Sequence, residues 1–371
     1  MQKNRIVWLK WVAIICGIVG SVGAVIVFVV SGNISENFIQ EKVEQVLEDR
    51  FPSAHRVGTV SLSWPNQVVI SQLVIEQGEK DKESPIVIED IHGRLKLIPL
   101  LFKKFVVKKL SARQINYENQ VLVKGLITNY FSIKNDRVDF SAHLNINDGP
   151  AALKGTIEVH QKKPVFNILF DAKDMHITQD VPMLQLLPLF RVREGEIGGI
   201  TSIKGHARGE GWGKNALNEK LEVNANLTVR DGYIKGNKLL SSILDIIGAK
   251  DTYSFQTMEA IIQIRDSKIN TPKMDVQGPV MSLTASGMSA FDGTISYDAM
   301  VRFDKKYLGN NAEKVADLLL REDAIPFEIR GTTKNPRVSV KLNRDKIDQL
   351  VKGLVDDFLS KKENHKKQKN D

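Results

Sequence analysis

Strict alternation of apolar and polar residues, broken at short intervals by turn residues, is the feature that most constrains this chain. In MEAIIQIRDSKINTPKMDVQGPVMSLTASG, residues 258–287, Ile262 and Ile264 alternate with Gln263 and Arg265. An Asp-Ser break follows, and the alternation then resumes. Successive side chains of a strand point to opposite faces, so this pattern predicts a strand with one greasy and one wetted side. Similar units recur at intervals of roughly 8–14 residues, in the manner of an antiparallel meander. They include VGTVSLSWPNQVVISQLVIEQ, AALKGTIEVHQKKPVFNILFDAKDMHIT and the closing PFEIRGTTKNPRVSV.

A sheet of this kind must hide its greasy face by curling on itself, by recruiting helices or by hosting a ligand. Helical segments are few: DVPMLQLLPLF, NKLLSSILDIIG, NNAEKVADLLLRED and the amphipathic NRDKIDQLVKGLVDDFLSKK. The expected class is therefore mainly β, a long curved antiparallel sheet over 57–343 with a few short helices. A closed barrel or sandwich with a dry core is the alternative. The amphipathic helix, 344–361, would cap the far edge of the sheet or dock on a membrane or partner. The basic tail 362–371 is expected to be solvated.

The front of the chain differs. Residues 11–31 contain WVAIICGIVGSVGAVIVFVV, about 20 residues without charge, enough to cross a bilayer core of about 30 Å. A cleaved signal peptide would carry a shorter apolar region. The expectation is a retained single-pass anchor, followed by a linker helix over 33–51. Lys3, Arg5 and Lys10 precede the anchor, which keeps 1–10 in the cytoplasm and exports the body.

The net charge of +8 is partly concentrated at the two ends, with Lys361, Lys362, Lys366, Lys367 and Lys369 at the back. That distribution suits an anionic membrane surface, and no basic, aromatic-studded segment suggests nucleic acid. Cys16 is the only cysteine and falls within the anchor, so the exported body has no disulfide or thiolate chemistry.

The sequence is poor in catalytic patterns. Its seven histidines form no HExxH or other close ligand pair, so neither metal nor cofactor is expected. GHARGEGWGKN, residues 205–215, resembles a phosphate loop in its glycines alone. Arg208 stands where the first glycine should be, and Asn215 replaces Ser or Thr. It reads as a flexible turn between strands. No Gly-x-Ser-x-Gly elbow occurs, and carboxylates such as Asp171 and Asp174 form no distinctive pair. An enzyme is not expected.

The order of these parts resembles the AsmA-like family of diderm bacterial envelope proteins, the group of AsmA, TamB and YdbH. The likeness is carried by the anchor running into FIQEKVEQVLEDRF, by IVIEDIHGRLKLIPLLFKKFVVKKLSARQI, and by VRDGYIKGNKLLSSILDI followed by successive strand pairs. Its most specific element is the final IRGTTKNPRVSV, where Gly331, Thr332, Asn335 and Pro336 match the family's closing turn. The resemblance implies a β-groove in the periplasm, tied to the inner membrane, that shields phospholipid or other acyl chains during outer-membrane biogenesis. It implies no catalytic residue. About 16 strands at about 4.8 Å each give roughly 75 Å, short for a complete periplasmic bridge by one copy.

Alternation alone nominates the lining: Val121, Val123, Ile157, Val159, Ile168, Phe170, Ile262, Ile264, Phe327 and Ile329. A one-residue slip of register would turn the whole set to the other face. The expected partners are the lipid bilayer, an acyl-chain ligand and envelope or outer-membrane assembly proteins. A scaffold for outer-membrane protein assembly that never holds lipid is the competing reading.

Overall fold

The computed structural model describes residues 55–63, 66–75, 85–96, 107–117, 120–134, 137–158, 164–177, 196–211, 220–235, 252–304, 324–332 and 335–341. The expected anchor, linker helix, three internal helical segments, C-terminal helix and basic tail lie outside the described residues.

Every described strand belongs to one sheet. The first stretch comprises β1 (His55–Val57), β2 (Val60–Ser63), β3 (Gln67–Ile75), β4 (Ile86–Leu95), β5 (Val107–Tyr117) and β6 (Gln120–Lys134). Then come β7 (Arg137–Ile146), β8 (Gly149–Glu158), β9 (Val165–Ile177), β10 (Glu196–Glu210), β11 (Glu222–Lys235) and β12 (Thr252–Arg265). The last stretch is β13 (Lys268–Gln277), β14 (Met281–Ala290), β15 (Thr294–Phe303), β16 (Ile325–Thr332) and β17 (Pro336–Val340).

From β3 onward each strand pairs antiparallel with its chain neighbours. β1 and β2 lie end to end along β3, against Leu73–Ile75 and Gln67–Ile70 respectively. Among the described residues β1 and β2 pair only with β3, and β17 only with β16, so the sheet stays open and is not a barrel. Its edge strands are the short ones, which limits the unpaired backbone they present.

The apolar side chains fall on one face. Buried positions mostly follow a step of two along each strand, interrupted on several strands by a step of three. On β3 the step is Ile70 to Leu73, on β4 Ile88 to Ile91, on β5 Ala112 to Ile115 and on β6 Val123 to Leu126. These steps are in register: Ile70, Ile91, Ala112 and Leu126 pair in one row, and Leu73, Ile88, Ile115 and Val123 in the next. A second coherent step runs through β11 (Val229 to Gly232) and β12 (Phe255 to Met258). Between the two rows each strand places two consecutive residues outward, such as Glu89-Asp90, Arg113-Gln114 and Arg230-Asp231. Left-handed backbone at Asp90 (φ 50°), Gly125 (φ 62°) and Asp231 (φ 49°) makes this possible. Such irregularities bend strands. Aligned at one level across neighbouring strands, these steps form a line, here called the crease. β9 and β13 carry local bulges at the corresponding height.

Beside the crease runs a row in which five of the eight residues are alanine. Ala151 pairs with Ala172, Ala172 with Ile203, Ile203 with Leu227, Leu227 with Ala260, Ala260 with Met274, Met274 with Ala285 and Ala285 with Ala299.

Residues 205–210 correct the sequence reading. Gly205 to Glu210 continue β10 and form no turn. Gly205 and Gly209 are directly opposite Phe170 and Phe166, whose rings occupy the space a Cβ would take. These glycines serve the packing of the neighbouring strand, a role glycine takes where another group approaches the backbone closely.

Candidate functional site

The candidate site is the apolar face itself. Eight of the ten nominated lining residues have described side chains, and all eight lie on this face. Phe170 faces Gly205, Ala225 faces Gly205, and Ile262 faces Ala225, which makes one row across β9 to β12. Ile168, Ala207, Val223 and Ile264 form the next row. Ile157 pairs with Phe166, Phe327 with Ala299, Ile329 with Tyr297, and Val123 with Ile146. All eight are withdrawn from solvent, between 0% and 6% exposed. The chain thus covers its own lining. Val121 holds a β6 position opposite Asn116, and Val159 lies outside the described residues.

Aromatic rings lie down on this face. Phe170, Phe166, Phe255 and Tyr297 each cover the glycine directly opposite: Gly205, Gly209, Gly232 and Gly287. Tyr253 likewise passes over Gly278 to donate a hydrogen bond to the Met281 carbonyl at 2.8 Å. A ring laid over glycine keeps its apolar surface close to the sheet.

The face carries almost no polarity. Among the described residues the buried polar side chains are Thr128, Thr201, Thr271 and Ser289, besides the two tyrosines, and no Asp, Glu, Lys, Arg or His is buried. Thr128 is fully matched: its hydroxyl accepts from Leu110 N–H at 2.7 Å and donates to Leu110 C=O at 3.0 Å, just past the Ser111–Ile127 pair where the β5–β6 ladder ends. Thr201 Oγ1 and Ser289 Oγ have no hydrogen-bond partner. Burial raises the pKa of both Tyr253 and Tyr297 above the usual phenol value.

The other face is charged. Arg113 bridges Glu89 at 2.8 Å and Asp90 at 2.6 Å, across the crease, and Arg230 reaches Asp174 at 2.5 Å. Asp171 sits 3.8 Å from Lys204. Exposed pairs of this kind contribute little stability, about 0–1 kcal/mol each; they keep the outer face wet.

At the far end Gly331 (φ 102°) pairs with Pro336, and Thr332 and Asn335 exchange backbone hydrogen bonds of 3.0 and 3.3 Å. The closing motif is therefore a hairpin turn that adds β17 to the sheet. Pro336 takes the first position of an edge strand, where its missing N–H is harmless.

Sequence reasoning missed the polar doublets that mark the crease and the buried hydroxyls. The doublets were visible as slips in the alternation, Ile88 to Ile91 for example. Serine and threonine within a strand carried no comparable signal. Comparison of the chain with protein-family models, with curated proteins and with solved structures finds no match.

Proposed function

We propose that this protein is an AsmA-like component of the diderm envelope, anchored in the inner membrane, whose periplasmic trough binds acyl chains and helps transfer phospholipid or a related lipid during outer-membrane biogenesis. One observation carries the reading. Among the described residues, an apolar face without buried charge continues from β2 to β16 of a sheet that stays open. Such a surface offers a hydrocarbon tail a path along the sheet, and neither headgroup charge nor catalytic chemistry is needed to hold it. The order of elements along the chain supports the same reading.

A photo-crosslinking amino acid at Phe170 or Ile264 in the full chain, activated in intact bacteria, tests it. Mass spectrometry should find lipid adducts at both positions. Adducts to protein alone, from both, would overturn the reading.

One observation favours a second reading, a lipid-free scaffold for outer-membrane protein assembly. The lining is already covered by the chain, as a dry core would be. On that reading the same crosslinkers yield only intramolecular or partner-protein products.

A further inference from the structure

Three hydroxyls interrupt the apolar face at a single place. Tyr297 on β15 pairs directly with Gly287 on β14, and its ring crosses that glycine. Its hydroxyl comes to rest 3.1 Å from Thr271 Oγ1 on β13. Ser289, two residues along β14 on the same face, is 3% exposed and its Oγ has no hydrogen-bond partner. Burial raises the Tyr297 pKa, while Thr271 and Ser289 pull it down. Ile269 and Ile295 flank Ser289 in its row, and Ile329 stands opposite Tyr297.

The donor count is specific. Between Tyr297 and Thr271 one O–H is used on the other's oxygen, which leaves one O–H over, and Ser289 supplies a second. Two unspent donors on adjacent rows of one face match the two lone pairs of one carbonyl oxygen. An anionic phosphate or carboxylate would need a cation here, because a buried unpaired charge is far costlier than a buried dipole. None of the described lysines or arginines is buried.

The geometry points to Ser289, Tyr297 and Thr271 as a docking point for the neutral carbonyl of an acyl chain, an ester or amide carbonyl, inside the trough. This inference rests on the lipid reading above and adds to it: the ligand is an acylated lipid held at its acyl linkage, with the tail along the apolar rows.

The test uses the full chain in an ester-free alkyl glucoside detergent. It is offered phosphatidylglycerol bearing a tail diazirine, with its tails joined by ester bonds or, in a second sample, by ether bonds. The expected result is a preference for ester over ether adducts on the order of tenfold, the worth of one to two neutral hydrogen bonds. S289A should cut that preference several-fold, and S289A/Y297F should bring it close to parity. S289A should also raise Tm, since it removes an unmatched buried hydroxyl, a combination that a merely structural role would not give. Equal ester and ether adducts in the wild type would overturn the docking point and leave the lipid reading intact. So would an S289A protein with its ester preference unchanged, for instance where an enclosed water serves the hydroxyls. No adduct with either lipid would remove the lipid reading itself.

Discussion

The ring of Phe170 lies across Gly205 on the neighbouring strand, so that a Cβ placed on Gly205 would stand 2.7 Å from the ring's Cζ and 2.5 Å from the backbone oxygen of Asn224. The backbone contact cannot be relieved by a rotamer change. G205A is expected to destabilise the protein by about 1–3 kcal/mol through overpacking. F170A, which empties the same site, should cost about 3–5 kcal/mol. Urea denaturation of the two single mutants and the double mutant checks this. In the double mutant the ring contact is gone while the Asn224 oxygen and Ala225 Cβ contacts remain, so the combined loss should fall only partly below the sum of the single losses.

The crease makes a different demand. Gly125 has open space around its missing side chain, with only Asn145 Nδ2 at 3.8 Å, but its φ is 62°. Conformation alone should therefore decide substitutions there. G125V is expected to cost about 1–2 kcal/mol, the penalty for a left-handed L-residue, whereas G125N should be close to neutral because asparagine tolerates that region. Equal losses for both variants, read by thermal melts, would mean that side-chain space rather than backbone conformation is limiting.

These two glycines also mark what was legible in the chain. Period-two alternation placed Ile168, Phe170, Ile262 and Ile264 on a common face, because alternation is a property of the backbone and survives whatever the strand pairs with. The same local logic misread Gly205–Glu210 as a turn. A glycine in a turn and a glycine beneath a ring look alike in sequence, and only the partner strand distinguishes them. Ser289 and Thr271 were invisible for a related reason. Their proximity depends on Tyr297 reaching across Gly287, a relation that spans three strands. The slips Ile70 to Leu73 and Val229 to Gly232 were readable, but a slip identifies a crease only when its neighbours slip in register.

Two buried threonines should respond to one substitution with opposite signs. Thr128 serves both the N–H and the C=O of Leu110, so T128V leaves two buried backbone groups unmatched and should cost about 1–3 kcal/mol. Thr201 is 1% exposed with no partner for Oγ1. T201V keeps the shape and removes an unmatched dipole, and should stabilise by about 1 kcal/mol. Differential scanning calorimetry of the pair checks the contrast; a loss at both positions would mean that Thr201 is hydrogen-bonded in solution.

Alkaline pH should unfold the protein through its buried phenols. Burial raises the pKa of Tyr253, and it raises that of Tyr297 against the opposing hydroxyls of Thr271 and Ser289. Unfolded tyrosine ionises near pH 10. The folded state therefore keeps protons that the unfolded state releases above that pH. This contribution is complete below about pH 10 and declines as pH rises toward the folded pKa values. Phenolate absorbance follows the transition. The buried pair should ionise together with cooperative unfolding. Y253F should make the alkaline loss of stability shallower by one proton; an unchanged slope would mean that Tyr253 ionises normally in the fold.

The alanine row separates the two readings of the trough. If Ala285 fronts a dry, filled core, A285L inserts three carbons where nothing can move, and the cost should be about 1–3 kcal/mol. If the row fronts space that an acyl chain occupies by parting the covering side chains, leucine can settle there itself. Its added apolar burial then offsets most of the strain, and stability should stay within about 1 kcal/mol of wild type. The lipid reading expects the second outcome, together with a several-fold fall in lipid adducts from a photo-crosslinker at Ile264, since the leucine side chain and the guest compete for one volume. Ala285 is coupled to that position through Met274 and Ala260 in a single row, with Ile264 two rows away on the same face. Competition therefore needs no rearrangement of the sheet. A strongly destabilised A285L whose crosslinking pattern matches wild type would instead place the alanines in the interior of a closed core.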